Sequence, residues 1–220
     1  MQTSALKYWP FVLAFVAVAV WMMLAARTPT GDEGLYTILT DEQYEQTLAR
    51  VRELTKGPLI AYDSGQKLTN KQLDDLREGR TLVRRLIAYQ PRNFPPYVIM
   101  GKTQRALGEM DEAVRNYEQA LLLMPEDSTD PDVLWTAADV RYDLGVHYYN
   151  TSDYPTAEAY AEDAVARDPS NAAYMASLGA IKSQLGKLDE ARYWTNEALK
   201  YDPNNLVATA LDEELKKAGK

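Results

Sequence analysis

The chain has 220 residues, 46% of them apolar, with 15 tyrosines and no cysteine. That suffices for one ordinary domain plus an anchor, and it excludes disulfides, thiolate metal sites and cysteine nucleophiles. The formal charge is −8; only Lys7 and Arg27 of the 24 basic residues precede position 28, so the remainder sets 22 basic against 32 acidic side chains, and a body this acidic repels a phosphate backbone, which excludes nucleic acid as a partner.

The nineteen residues from Tyr8 to Ala26, YWPFVLAFVAVAVWMMLAA, carry no charge. As a helix they span roughly 28 Å, the thickness of a bilayer core. Pro10 falls in the first turn, where its missing N–H costs no hydrogen bond, and Tyr8, Trp9 and Trp21 are amphipathic rings suited to the interfaces. The segment predicts an uncleaved N-terminal transmembrane helix. A cleavable signal peptide competes with it, but the apolar run is too long and the site before Arg27 is a poor small-x-small match. Lys7 and the terminal amine flank one side, and Arg27 followed by Asp32 and Glu33 the other. That bias puts the N-terminus inside and the body outside the cytoplasm, in the periplasm if the source is a diderm bacterium.

Residues 28–40 form a turn-rich linker. Thr40 with Gln43 then has the spacing of a capping box, and Tyr44, Leu48, Val51 and Leu54 form one apolar stripe. The spacing predicts a helix from Asp41 to about Lys56, stopped by Gly57-Pro58. Thr69 with Gln72 opens a second helical pattern through Leu73, Leu76, Leu82, Val83, Leu86 and Ile87, with Gly79 as a candidate break.

From Phe94 onward one pattern recurs. Residues 94–127, 138–171 and 172–205 are three segments of equal length, 34 residues each. The eighth place is glycine (Gly101, Gly145, Gly179) and the twentieth alanine (Ala113, Ala157, Ala191). A second alanine follows seven residues on (Ala120, Ala164, Ala198), and the thirty-second place is proline (Pro125, Pro169, Pro203). Two helices approach closely only where facing residues lack bulk, so the small residues mark a helix crossing. Leu121, Leu144, Leu178 and Leu199 fill the space around it, and proline stops the second helix. At these residues, and in segments such as LGAIKSQLGKLDEA and EALKYDPNN, the units resemble the tetratricopeptide repeat. The fourth place, often tryptophan in that family, holds Tyr97, Arg141 and Met175. The eleventh holds Gln104, Tyr148 and Lys182, of which only tyrosine suits a buried position.

The resemblance implies an all-α helical solenoid of the tetratricopeptide type, with about three and a half helix-turn-helix units and capping helices. Its parts are an anchor (1–27), a linker (28–40), N-terminal helices ending in a degenerate half-repeat (41–93), and units at 94–127, 128–171 and 172–205. A closing helix (206–220) is expected to pack through Leu206, Ala210, Leu211 and Leu215. In the middle unit the ten inserted residues 128–137 extend the first helix backward, with an N-cap and Pro131 at its first position.

The family's concave groove is lined at the fifth, ninth, twelfth and thirteenth places. Here these are Val98, Lys102, Arg105 and Ala106, then Tyr142, Val146, Tyr149 and Asn150, then Ala176, Ala180, Ser183 and Gln184. Trp135 lies seven residues before Tyr142, which puts Trp135, Tyr142, Val146 and Tyr149 on one helix face. Such a stripe suits a peptide, with Lys102 and Arg105 free for a carboxylate. The third unit offers only small or neutral groove residues, so the five-residue basic and asparagine clamp of chaperone-tail-binding repeats is not completed. His147 is the single histidine and no glycine-rich phosphate loop occurs, so neither catalysis nor a metal or cofactor is expected. The function expected is a membrane-anchored adaptor that binds a protein or peptide partner, an accessory or assembly factor of a membrane complex. The alternative is a permanent subunit or self-assembling scaffold whose groove is filled by its neighbours.

Overall fold

The computed structural model describes residues 39–218. The expected membrane span at 8–26 and nearly all of the linker lie outside the described residues. Among the described residues there are nine α-helices and no strand, and no helix is long and apolar enough to cross a membrane.

Helices α1 (Asp41–Asp63) and α2 (Asn70–Tyr89) open on capping boxes. Thr40 N–H donates to the Gln43 side chain at 2.9 Å while Thr40 Oγ1 accepts from Gln43 N–H at 3.2 Å, and Thr69 with Gln72 repeats the arrangement. Each box satisfies backbone groups that a helix start otherwise leaves orphaned. The expected stop at Gly57-Pro58 does not occur, because α1 runs on to Asp63. Proline inside a helix costs about 3 kcal/mol, and two contacts offset it here. Pro58 is buried on the same stripe as Leu54, and the extra turns carry Tyr62 and Asp63 onto Arg105, ring centroid to guanidinium carbon 5.1 Å and carboxylate to nitrogen 2.6 Å. Gly79 does not break α2 either. It is buried where α2 crosses α1, and a Cβ there would stand 2.7 Å from the Thr55 methyl. The two helices before Phe94 pack on each other as a hairpin.

Three further hairpins follow: α3 (Phe94–Ala106) with α4 (Met110–Leu123), α5 (Pro131–Asn150) with α6 (Tyr154–Arg167), and α7 (Ala172–Gln184) with α8 (Leu188–Tyr201). Helix α9 (Leu206–Ala218) lies against α7 and α8. Each hairpin packs on its neighbours alone, so the core is a row of clusters. Val51, Val83 and Leu86 centre the first, Tyr117, Val140 and Leu144 the second, and Leu178, Ile181 and Ala164 the third. This nearest-neighbour arrangement is that of a solenoid. The closing face of α9 is rotated from the expected one: Ala208, Leu211 and Leu215 are buried, whereas Leu206 is 85% exposed and Ala210 is exposed. Asn205 fixes the start of the helix by accepting from Ala208 N–H at 3.0 Å, which turns Ala208 onto the cluster containing Ala198.

Two positions inside the units require particular residues. At Gly101 a Cβ would lie 2.5 Å from the Tyr117 ring, whereas at Gly145 the nearest atom would be 3.5 Å away. At the turn between a unit's two helices the backbone is left-handed, at Gly108 (φ 80°), Ser152 (φ 65°) and Gly186 (φ 73°). Serine in that region carries a steric penalty that glycine avoids.

Gly101→Ala is expected to lower stability by about 2–3 kcal/mol through overpacking against Tyr117, while Gly145→Ala changes it by less than about 1 kcal/mol because helix propensity compensates there. Urea denaturation of the two variants checks the difference. In the same assay Ser152→Gly is expected to raise stability by about 0.5–1 kcal/mol.

Candidate functional site

The first helices of the units, α3, α5 and α7, bring their inward residues together around two cavities that share the side chain of Tyr142. The first cavity, of about 510 Å³, lies between the end of α1 and the facing sides of α3 and α5. Tyr62 and Asp63 reach it from α1, with Gly65 and Gln66 at its rim. Lys102 and Arg105 enter from α3, and Asp139 and Asp143 from α5. The second, of about 280 Å³, lies between α5 and α7, walled by Tyr142, Val146 and Tyr149 on one side and Ala173, Ala176 and Ala180 on the other.

The charges of the first cavity are already paired. Lys102 Nζ donates to Asp139 at 3.1 Å, and Arg105 donates to Asp63 at 2.6 Å. Arg105 Nε stands 3.5 Å from Asp143, an ion-pair contact without hydrogen-bond geometry. Asp143 is buried and accepts from the Tyr117 hydroxyl of α4 at 2.7 Å. Burial pushes the Asp143 carboxyl above the usual carboxylate range, although Arg105 and the Tyr117 hydroxyl oppose the rise. Burial and the adjacent Asp143 raise the Tyr117 phenol well above its ordinary value. For Arg105, burial works against the charge, but Asp143, Tyr117 and Asp63 together outweigh it and the guanidinium stays ionised. Tyr174 of α7 packs on Tyr142 with ring centroids 5.1 Å apart and donates its hydroxyl to Asp139.

The expected groove residues separate into three groups. Lys102, Arg105 and Tyr142 meet at the first cavity; Tyr142, Val146, Tyr149, Asn150, Ala176 and Ala180 meet at the second. Val98 and Ala106 are buried, Val98 in the cluster formed by Tyr117 and Ala113. Neither lines one of the two cavities. Trp135, Ser183 and Gln184 line neither cavity. Trp135 is 57% exposed: α5 has 20 residues against 13 in α3 and in α7, so its first two turns pass beyond the neighbours that would cover a groove residue. Lys102 and Arg105, expected to be free for a partner's carboxylate, are paired within the chain with Asp139, Asp63 and Asp143.

The eleventh place is also corrected. Gln104 and Lys182 are both buried, Gln104 accepting from the Asn116 amide at 2.8 Å. Lys182 sits among Glu158, Glu162 and Glu190, at 2.6, 2.6 and 2.7 Å. Burial alone would depress its pKa, but hydrogen bonds to the three carboxylates outweigh burial and hold the ammonium above its ordinary value. Burial likewise opposes ionisation of Glu158, and the bonds from Lys182 and Lys187 reverse it, so this carboxyl titrates below the usual range. The lone His147 packs edge-on to Tyr148 at 5.2 Å. Among the described residues no group of three potential side-chain ligands could hold a metal ion.

Two family models described as tetratricopeptide repeat match residues 95–127 and 142–205, and these segments are tetratricopeptide repeats. No curated protein sequence matches the chain. Among solved structures, a mutant of MamA is 18% identical, with 78% of this chain and 84% of that one covered at a TM-score of 0.54. MamA from Desulfovibrio magneticus RS-1 is 14% identical, covering 76% and 94% at 0.50. The first tetratricopeptide domain of Spaghetti (RPAP3), solved with an HSP90 peptide, is 24% identical over 58% of this chain and 93% of that one at 0.46. The MamA likenesses show the fold, an all-helical solenoid of tetratricopeptide repeats.

Lys182→Met is expected to lower stability at pH 7 by about 2 kcal/mol, less than a fully buried ion pair would lose because Glu162 and Glu190 are half exposed. A carboxylate whose folded pKa is depressed stabilises the fold above its unfolded pKa and loses that contribution as pH falls through the folded value. The gap between Lys182→Met and the parent is therefore expected to narrow below about pH 4, as read by thermal melting from pH 7 to pH 3.

Proposed function

We propose that this chain is a protein-interaction scaffold that holds an extended segment of a partner protein along the concave side of its repeats. The observation that carries this reading is the cavity between α5 and α7, open to solvent and walled by Tyr142, Val146 and Tyr149 opposite three alanines. Large aromatic walls facing small residues leave room for a guest side chain while offering it apolar contact. The rings are held before any partner arrives, Tyr142 by Tyr174 and Tyr149 by Tyr154 at 5.6 Å. A preformed wall lowers the ordering cost of association.

Residues 8–26 are read as the membrane anchor that displays this surface, with the repeats outside the cytoplasm and an assembly role at a membrane complex. Support for the anchor is the uncharged run of nineteen residues alone. Retention of the full chain in the membrane pellet after alkaline carbonate extraction is the expected result.

The groove is tested by purifying the full chain from detergent extracts of its own cells. The variant Tyr142→Ala/Tyr149→Ala is expected to lose a stoichiometric protein partner that the parent retains. Ala173→Gln, at an exposed position in the cavity wall, is expected to do the same without removing a core contact. Unchanged recovery with both variants, their thermal melts being intact, would remove the groove from the account.

A further inference from the structure

We infer that the cavity beside the apolar one takes a basic side chain, so that the partner segment carries a lysine or arginine close to an apolar residue. This rests on the groove reading above and names the chemistry of its occupant.

The two cations of the cavity are not what it offers to solvent. Lys102 and Arg105 have side-chain exposures of 27% and 18%, whereas Asp63 and Asp139, their partners, are each 49% exposed. The carboxylates are therefore the more exposed charges of the lining. A carboxylate has about four acceptor positions, and Asp63 uses one oxygen on Arg105 while Asp139 uses one each on Lys102 and Tyr174. Acceptor capacity remains on both carboxylates, while the guanidinium, the less exposed partner, has its charge balanced by Asp63 and Asp143 beside the Tyr62 ring.

The charge count agrees. Three carboxylates, Asp63, Asp139 and Asp143, face two cations in the lining. An incoming carboxylate would have to displace Asp63 from Arg105 and would meet Asp139 on the way. An incoming ammonium or guanidinium joins two half-exposed carboxylates with spare acceptor positions in a cavity that Tyr62 and Tyr142 also line. The field of a chain with formal charge −8 steers a basic segment toward it. Because Tyr142 forms a wall of both cavities, the basic residue and the apolar residue that fills the second one belong to the same short stretch of partner.

The test is a nuclear magnetic resonance titration of the isotope-labelled full chain in mild detergent. The probes are three end-blocked peptides of one frame, Gly-Ser-Leu-Ser-Xaa-Ser-Gly, with Xaa as lysine, glutamine or glutamate. The lysine peptide is expected to bind about tenfold more tightly than the glutamate peptide, with glutamine between, a spread of about one decade in dissociation constant. The spread should shrink in about 0.5 M salt and in the variant Asp63→Asn/Asp139→Asn, whose side chains keep an acceptor but lose the charge. Equal affinities, or tighter binding of the glutamate peptide, overturn the basic occupant while leaving the groove in place, provided the resonances of Tyr149 and Ala176 still move. Absence of binding by all three peptides overturns both.

Discussion

One buried carboxylate holds the first half of the solenoid together. Asp143 on α5 accepts the Tyr117 hydroxyl from α4 and faces Arg105 of α3, which in turn pairs with Asp63 at the end of α1. Four helices from three successive hairpins meet at this knot. A hydrogen bond to an ionised group contributes about 1.5–3 kcal/mol, but the desolvation of Asp143 offsets much of that, as the upward displacement of its pKa attests. What the knot supplies is mutual position. It requires the Tyr117 ring to lie over α3, which only a glycine at position 101 allows, and it holds the end of α1 across the mouth of the first cavity.

The third unit solves the same problem with other residues. Lys182 occupies a buried place equivalent to Gln104, and three glutamates from α6 and α8 surround it. Arg141 of α5 pairs with Asp163 of α6 in the unit between. Alanine and glycine at the crossings make the helices close, and these polar contacts make each crossing individual. Repeats with one backbone plan thus acquire different inner surfaces: charged between α1, α3 and α5, apolar between α5 and α7.

The backbone plan was legible because close packing leaves little choice. Gly101, Ala113, Ala120 and their counterparts recur where helices touch, and Asp130-Pro131 announces the long α5, with Asp130 accepting from Asp132 N–H at 3.0 Å. Pro58 misled because the contacts that carry α1 through it, on Arg105, lie more than forty residues away. The aromatic wall of the apolar cavity was readable as a stripe. The pairing of Lys102 and Arg105 has a fainter signal in the sequence: Asp139 and Asp143 stand four apart on α5 around Tyr142, matching two cations three apart on α3. The burial of Lys182 is illegible for a related reason, since lone-residue preferences say little about a lysine that three carboxylates surround.

The central claim is that the Asp143 knot couples α1, α3 and α5 into one unit that forms the charged side of the groove. Amide hydrogen exchange on the parent chain and on Tyr117→Phe measures this directly. The account predicts that removing one hydroxyl lowers protection together in the last turn of α1, in α3 and in the middle of α5, while α7 to α9 keep theirs. Loss confined to α4 around Tyr117, with the end of α1 and the middle of α5 unaffected, would contradict it.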